Sequence, residues 1–291
     1  MNKIIKICVY SGVWIMYKHI LLLLFVFSSL SYSNDVFINI KTACIDDEQY
    51  LESAFEYGRP LDPYGKVEFV FSRSTYALGF DADNRIPLWT IYRINKNSIL
   101  DSTTSLRKKH PSFISDLCLP TQFRIKSSYY NGSGYDRGHM APFNNIVKDS
   151  YTAQISNILT NIAPQSIGLN RGIWKKLEIY EKELVQKSIV NELFVISGPI
   201  YNETKKDYIY NGQILVPTAY YKILYNPSNN TTLSFIFANK NKYTDKEKEL
   251  SNHLTSIDEI EKLTNFDFFY KLEELEVLVE NFVARKLWSL Q

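Results

Sequence analysis

Apolar positions along this chain gather into short dense runs separated by longer polar stretches. The runs "KVEFVFS" (66–72) and "IPLWTIYRI" (86–94) are rich in β-branched and aromatic residues and predict strands. Between them, "SRSTYALGFDADNR" carries turn residues and reads as a hairpin-like connection. Further β-prone runs follow at "ELFVISGPI" (192–200), "GQILVPTAYYKILY" (212–225) and "TTLSFIFAN" (231–239). The period changes at "LNRGIWKKLEIYEKELVQKSI" (169–189). There Ile173, Leu177, Tyr180 and Leu184 recur at three- and four-residue steps, with Glu/Lys pairs between them, which predicts an amphipathic helix. The tail, roughly 245–288, reads as helical, with Ser256 as N-cap and Glu259 three residues later. Residues 95–132 are polar and broken by Pro111 and Pro120, as in a long surface excursion. Strands and helices come in blocks without regular alternation. The expected class is therefore α+β, a central mainly antiparallel sheet flanked by helices.

One apolar run does not belong to this pattern. Lys3, Lys6 and Lys18 precede "ILLLLFVFSSL" (20–30), and "SYS" follows, the layout of a secretory signal over residues 1–33 with cleavage after Ser33. Met16 is an alternative start, and an uncleaved anchor is the competing reading, although the run is short for an ordinary membrane span. The expectation is a secreted or periplasmic protein with no stable membrane insertion after cleavage. An irregular lead-in over 34–63 then precedes the main domain at 64–291.

Removing the signal takes away three lysines and no acid, so the formal charge moves from +2 to −1. Binding of a polyanion would then depend on a local basic patch, not on net charge. Cys8 leaves too, and Cys44 and Cys118 remain as an even pair that an oxidising compartment would favour as a disulfide; two unpaired buried thiols are the alternative. The 21 Tyr and 17 Phe are best explained by packed core and sheet faces.

Several chemistries lack their residues. After the signal there are only three histidines, His110, His139 and His253, and the chain has no CxxC, HxxxH or HExxH, which argues against a protein zinc site. Neither GxSxG nor GxxxxGK[ST] occurs, which weakens hydrolase-triad and nucleotide-triphosphatase readings. What remains is "YDRGHMAP" (135–142), which sets Asp136, Arg137 and Gly138 beside His139, and "TNIAPQSIGLNRGIWKKLE" (160–178), which holds Asn161, Asn170 and Glu178. On an α-helix Asn170 and Glu178 would lie roughly 80° apart in projection, two turns along, and could face one site. Asn170 also stands where an N-cap amide is expected. Neutral imidazole can accept a proton from water near neutral pH. A hard cation such as Mg²⁺ takes oxygen ligands and keeps several waters, so one amide oxygen can anchor it. Guanidinium groups fork onto phosphate oxygens. Together these parts suit metal-assisted phosphodiester hydrolysis.

The two blocks, in this order, resemble the DNA/RNA non-specific endonuclease family, the ββα-metal (His-Me finger), endonuclease G-like nucleases. The similarity runs from about residue 64 to 280 and takes in "FVISGPIY", "VPTAYYKILY" and "SIDEIEKLTNFDFF". It implies a Mg²⁺ cofactor, with Mn²⁺ as a substitute, and DNA and RNA as substrates cut to 5′-phosphate ends. It implies His139 as general base, Asn170 as direct metal ligand and Glu178 as a carboxylate serving the metal's water shell or the site's electrostatics. Arg137 and Asn161 would position the scissile phosphate or the loop, and Asp136 would support the site. Lys182 falls where some secreted members carry arginine, and Arg107 is the candidate for a further phosphate-binding arginine. A homodimer and an inhibitor or immunity protein are the expected protein partners. Two rival functions are a toxin or effector acting with a partner, and a catalytically silent nucleic-acid-binding protein. The sequon Asn131-Gly-Ser133 implies glycosylation only in a eukaryotic secretory pathway.

Overall fold

The computed structural model describes residues 41–45, 48–99 and 111–290. The expected signal at 1–33, Arg107 and His110 lie outside the described residues. The strands in chain order begin with β1 (Lys41–Ile45), β2 (Phe69–Arg73), β3 (Tyr76–Asp81) and β4 (Ile86–Asn95). Next come β5 (Tyr135–His139), β6 (Ile162–Ser166), β7 (Glu192–Ile200), β8 (Asp207–Ile209) and β9 (Ile214–Val216). The last three are β10 (Ala219–Asn226), β11 (Thr231–Ala238) and β12 (Leu254–Thr255).

Eight of them form one sheet in the order β1-β2-β3-β4-β7-β10-β11-β12. Only the β1–β2 pair is parallel; the other neighbours run antiparallel, so the α+β expectation holds. The central strands are buried on both faces, which is why they read as near-continuous apolar runs without alternation. One face turns Tyr221, Tyr225 and Phe194 toward Phe268 and Phe269, with ring centroids 5.2–6.0 Å apart. The other face turns Tyr92, Ser197, Tyr220 and Lys222 toward β5, β6 and the helix Lys175–Gln186, through hydrogen bonds described below. The candidate catalytic residues therefore sit on a rigid floor.

Three local expectations are corrected. The supposed connection between the first two strands contains β3, whose Gly79 lets Trp89 of β4 lie against the backbone; a Cβ there would be 2.4 Å from the indole. The lead-in is not irregular throughout, because β1 and the helix Glu48–Ala54 form within it. The tail is not one helical stretch. Ser256 caps Ile257–Thr264 as expected, accepting from the Glu259 amide at 3.2 Å, but Asn265 and Phe269 adopt left-handed conformations that end and re-aim the chain. No described helix is long and apolar enough to cross a membrane.

Cys118 is disulfide-bonded. Cys44 lies on β1, and its side chain is outside the described set.

Candidate active site

β5 and β6 form a two-stranded antiparallel ribbon in which His139 faces Ile162, Gly138 faces Ala163, Arg137 faces Pro164 and Asp136 faces Gln165. A helical segment follows directly. The ribbon and helix make a ββα unit, and strand alternation puts Tyr135, Arg137 and His139 on one face and Asp136 and Gly138 on the other. Gly138 is required by packing, since a Cβ there would lie 2.2 Å from Oε1 of buried Gln165.

His139 is oriented from behind. Its Nε2 lies 2.8 Å from Oδ1 of Asn157, while Asn157 Nδ2 donates to the Pro111 carbonyl at 2.6 Å. The second bond fixes which end of the amide faces the ring. An amide oxygen can only accept, so Nε2 carries the hydrogen and the lone pair of the neutral imidazole belongs to Nδ1. The Phe113 ring packs 5.5 Å from the imidazole. Its segment is pinned by Ile114–Asn157 and Leu159–Ile114 backbone bonds of 3.1 and 2.9 Å and by the buried Arg73–Asp116 ion pair. Asn157 was missing from the sequence expectations: it has no local signature, and its partners are 18 and 46 residues away.

Asn170 is oriented by Asp136. Its Nδ2 donates to Asp136 Oδ2 at 3.0 Å, so its Oδ1 points away from that carboxylate. Arg171, also missing from the expectations, grips both Asp136 oxygens at 2.8 and 2.7 Å. The Arg171 guanidinium beside it is the main reason the Asp136 carboxyl stays below its ordinary pKa, with the Asn170 amide adding to the effect. Asp136 is thus a positioning carboxylate. Asn170 does not cap a helix through its side chain. Leu169–Trp174 is a π-helical turn, kinked at Gly172, that precedes the α-helix Lys175–Gln186. The α-helical projection from Asn170 to Glu178 therefore fails over its first turn.

Glu178, half-buried on that helix, sits above a buried polar cluster. Burial raises its carboxyl to about 7, against the opposing charge of Lys222 and with a further rise from Glu181. Glu181 lies 2.9 Å from Lys222 Nζ and accepts from Tyr92 and Asn145, each at 2.9 Å. Asn145 also donates to the Glu178 carbonyl at 3.1 Å, and the Lys222 ammonium lies 4.3 Å from the Trp174 ring centre. This cluster ties the helix to β4 and β10.

The remaining expected residues divide. Arg137 is held by the Ser127 carbonyl and Asn131 at 2.6 and 3.0 Å and packs between Phe113 and Tyr130, on the His139 face. Asn161 is fully buried; it bonds both backbone groups of Ala141 and the Ser156 carbonyl at 2.9–3.0 Å, so it shapes the loop after His139 and offers nothing to a phosphate. Lys182 is half-buried on the site helix. Tyr130 packs on Arg137 and Tyr129 stacks on Tyr210 at 3.5 Å, so both serve packing.

A ββα unit presenting an oriented imidazole and an oriented amide matches a known family signature. The signature of DNA/RNA non-specific endonucleases covers residues 59–275. The chain belongs to that family. It is accordingly a nuclease, a hydrolase of phosphodiester bonds. It is 29% identical over 232 residues to Nuclease C1 of Cunninghamella echinulata var. echinulata, covering 76% of this chain and 89% of that one. It is 27% identical to the nuclease of Serratia marcescens, covering 71% and 76%. It is 29% identical to mouse mitochondrial nuclease EXOG, but there the match spans 69% of this chain and only 56% of the relative. Among solved structures, a crystal structure of the EndoG/EndoGI complex, whose description concerns the mechanism of EndoG inhibition, superposes with a TM-score of 0.68 at 26% identity, covering 77% of this chain and 93% of that one.

Nucleases of this family are metal-dependent, and the residues present here fit a hard cation. Asn170 offers an amide oxygen whose direction is set by the hydrogen bond its own Nδ2 gives to Asp136, and the Asp136 carboxylate supplies negative charge beside it. The described groups of three or more close His, Cys, Asp or Glu ligand atoms lie elsewhere, at Asp258, Glu261 and Glu280 and at Asp267, Glu276 and Glu280. A single oriented oxygen without a carboxylate cage suits an ion that retains most of its water.

Proposed function

We propose that this nuclease is a Mg²⁺-dependent, sugar-non-specific endonuclease of DNA and RNA in which His139 Nδ1 takes the proton of the attacking water. The observation that carries this reading is the amide of Asn157, anchored on Pro111 and accepting from His139 Nε2. It holds the ring in the tautomer a base requires and leaves a hydrogen-bond acceptor to stabilise the imidazolium once the proton arrives. Arg137, on the same strand face two residues away, supplies positive charge for the phosphate, while Arg171 holds the Asp136 carboxylate that aims Asn170. When bound at Asn170, Mg²⁺ or its substitute Mn²⁺ stabilises negative charge that develops on the phosphate and leaving oxygen.

His139 and Arg137, the side chains assigned to water and substrate, address water and phosphate, and phosphate contacts carry no base information, which supports cleavage of both nucleic acids without strong sequence preference. Attack that expels the 3′-oxygen leaves 5′-phosphate ends. We further propose export under the signal at 1–33, and a protein inhibitor as a partner, the latter by likeness to the EndoG/EndoGI structure. The purified protein should linearise and then degrade supercoiled plasmid, and degrade RNA, with Mg²⁺ but not with EDTA, and its product ends should be ligatable without prior phosphorylation. Intact plasmid and RNA under these conditions would refute the nuclease activity. N-terminal sequencing of exported protein should begin at Asn34; a retained N-terminus would refute signal cleavage.

A further inference from the structure

Beside the turn that carries Asn170 runs a groove of about 780 Å³, and nothing in the mechanism above uses it. One wall is the turn itself, through Gly168 and Gly172, continuing to Lys176 on the site helix; the other includes Lys242, Tyr243 and Lys248. The second wall is fastened to the first. Asn239 Oδ1 accepts from the Ser166 amide at 2.7 Å, Ser166 Oγ donates to the Lys240 carbonyl at 2.7 Å, and Asn241 Oδ1 accepts from the Gly168 amide at 3.3 Å. The fit is close enough that a Cβ on Gly168 would lie 2.0 Å from the Asn241 carbonyl oxygen. The groove therefore keeps a fixed position relative to Asn170.

We propose that this groove is a second nucleic-acid subsite, holding the backbone of nucleotides that flank the cut; the proposal rests on the nuclease reading and extends the substrate path beyond the scissile phosphate. Its charge selects an anion. The acids nearby are already matched, Glu249 by Lys176 at 3.3 Å, Asp245 by Lys248 at 2.8 Å and Glu247 by Lys240. Lys242, exposed and lining the groove, has no ion-pair partner among the described residues, so its charge is available to a phosphate. The Tyr243 phenol donates to the Ala238 carbonyl, which fixes its ring at the groove wall as a surface on which a base can stack. An extended strand leaving the metal-binding turn would pass directly into this groove.

The test separates this subsite from the catalytic reading by measuring binding and cleavage independently. In a His139→Ala background, binding of a 20-nucleotide single-stranded DNA is followed by fluorescence anisotropy across a salt series, with and without Lys242→Ala. Loss of one phosphate contact should reduce the salt-dependence slope by about 0.7. In the otherwise wild-type chain, Lys242→Ala should lower kcat/KM on plasmid about fivefold at about 0.15 M salt while hydrolysis of bis(p-nitrophenyl) phosphate, too short to enter the groove, stays unchanged. An unchanged slope together with unchanged plasmid cleavage would overturn the subsite, as would an equal loss on the small ester. A wild-type chain that binds DNA but cuts neither substrate would instead overturn the nuclease reading, and the slope would still decide the groove.

Discussion

Asp136→Ala isolates the contact that aims Asn170. In the wild-type chain one charge-assisted bond, 3.0 Å from Asn170 Nδ2 to Asp136 Oδ2, decides which end of the amide faces the carboxylate. A hydrogen bond to a charged group contributes about 1.5–3 kcal/mol, which corresponds to a fall in cation affinity of about 12- to 150-fold once the amide is free to rotate. The range agrees with the roughly 10- to 100-fold cost of removing groups that orient metal ligands. Arg171 adds little to this sum, because its side chain is 67% exposed and its pairing is screened by water. Isothermal titration with Mg²⁺ and competition with Mn²⁺ measure the affinity directly, and thermal unfolding checks that the fold is kept. Asp136→Asn, which retains an acceptor but not the charge, should fall between wild type and Asp136→Ala. Two results would refute this: cation affinity in Asp136→Ala equal to wild type, or Arg171→Ala matching Asp136→Ala in its loss, which would assign the effect to the ion pair.

Three other perturbations test separate parts of the structure. Asn157→Asp places a carboxylate against His139 Nε2 and should raise the imidazole pKa by about one unit or more, moving the acid limb of the kcat/KM profile to higher pH; an unmoved limb would refute the assigned contact. Lys222→Met leaves fully buried Glu181 without its cation and should cost about 3–5 kcal/mol in urea unfolding, most of it recovered by adding Glu181→Leu; additive losses would refute the coupling. Glu280, in a cluster with Glu261, Asp267 and Glu276, is pushed by burial and then by those charges from 4.5 to about 9. The folded chain therefore prefers the proton there, so its stabilising contribution is complete below the unfolded pKa and is lost as pH rises through about 9. Glu280→Gln should flatten the decline in Tm between pH 5 and 9; identical pH curves would refute the shift.

The strands of the sheet's centre were legible because burial on both faces leaves unbroken β-branched and aromatic runs, as in β4, β7 and β11. β3 was not, because the glycine that admits Trp89 and the flanking turn residues imitate a loop. β1 was hidden for a different reason: "KTACI" gains its strand character only from parallel pairing with β2, a partner far along the chain. At the site, His139, Asn170 and Asp136 were legible as residue types in a recognisable order. The groups that orient them were not, since Asn157, Arg171 and the Glu181–Lys222 pair act through tertiary contacts. Only Lys222 left a trace, as a lone charge inside the apolar strand "AYYKILY". The π-turn at Leu169–Trp174 was invisible because its composition suits an α-helix equally well.

The single-turnover rate of plasmid cleavage by His139→Ala, with saturating Mg²⁺ and its cation affinity measured in parallel, tests the central claim most directly. A positioned base contributes about 10²- to 10⁴-fold, so the rate should fall by that factor while Mg²⁺ affinity stays at the wild-type value and added imidazole restores part of the rate. A His139→Ala protein that cuts at the wild-type rate would contradict the assignment of the base.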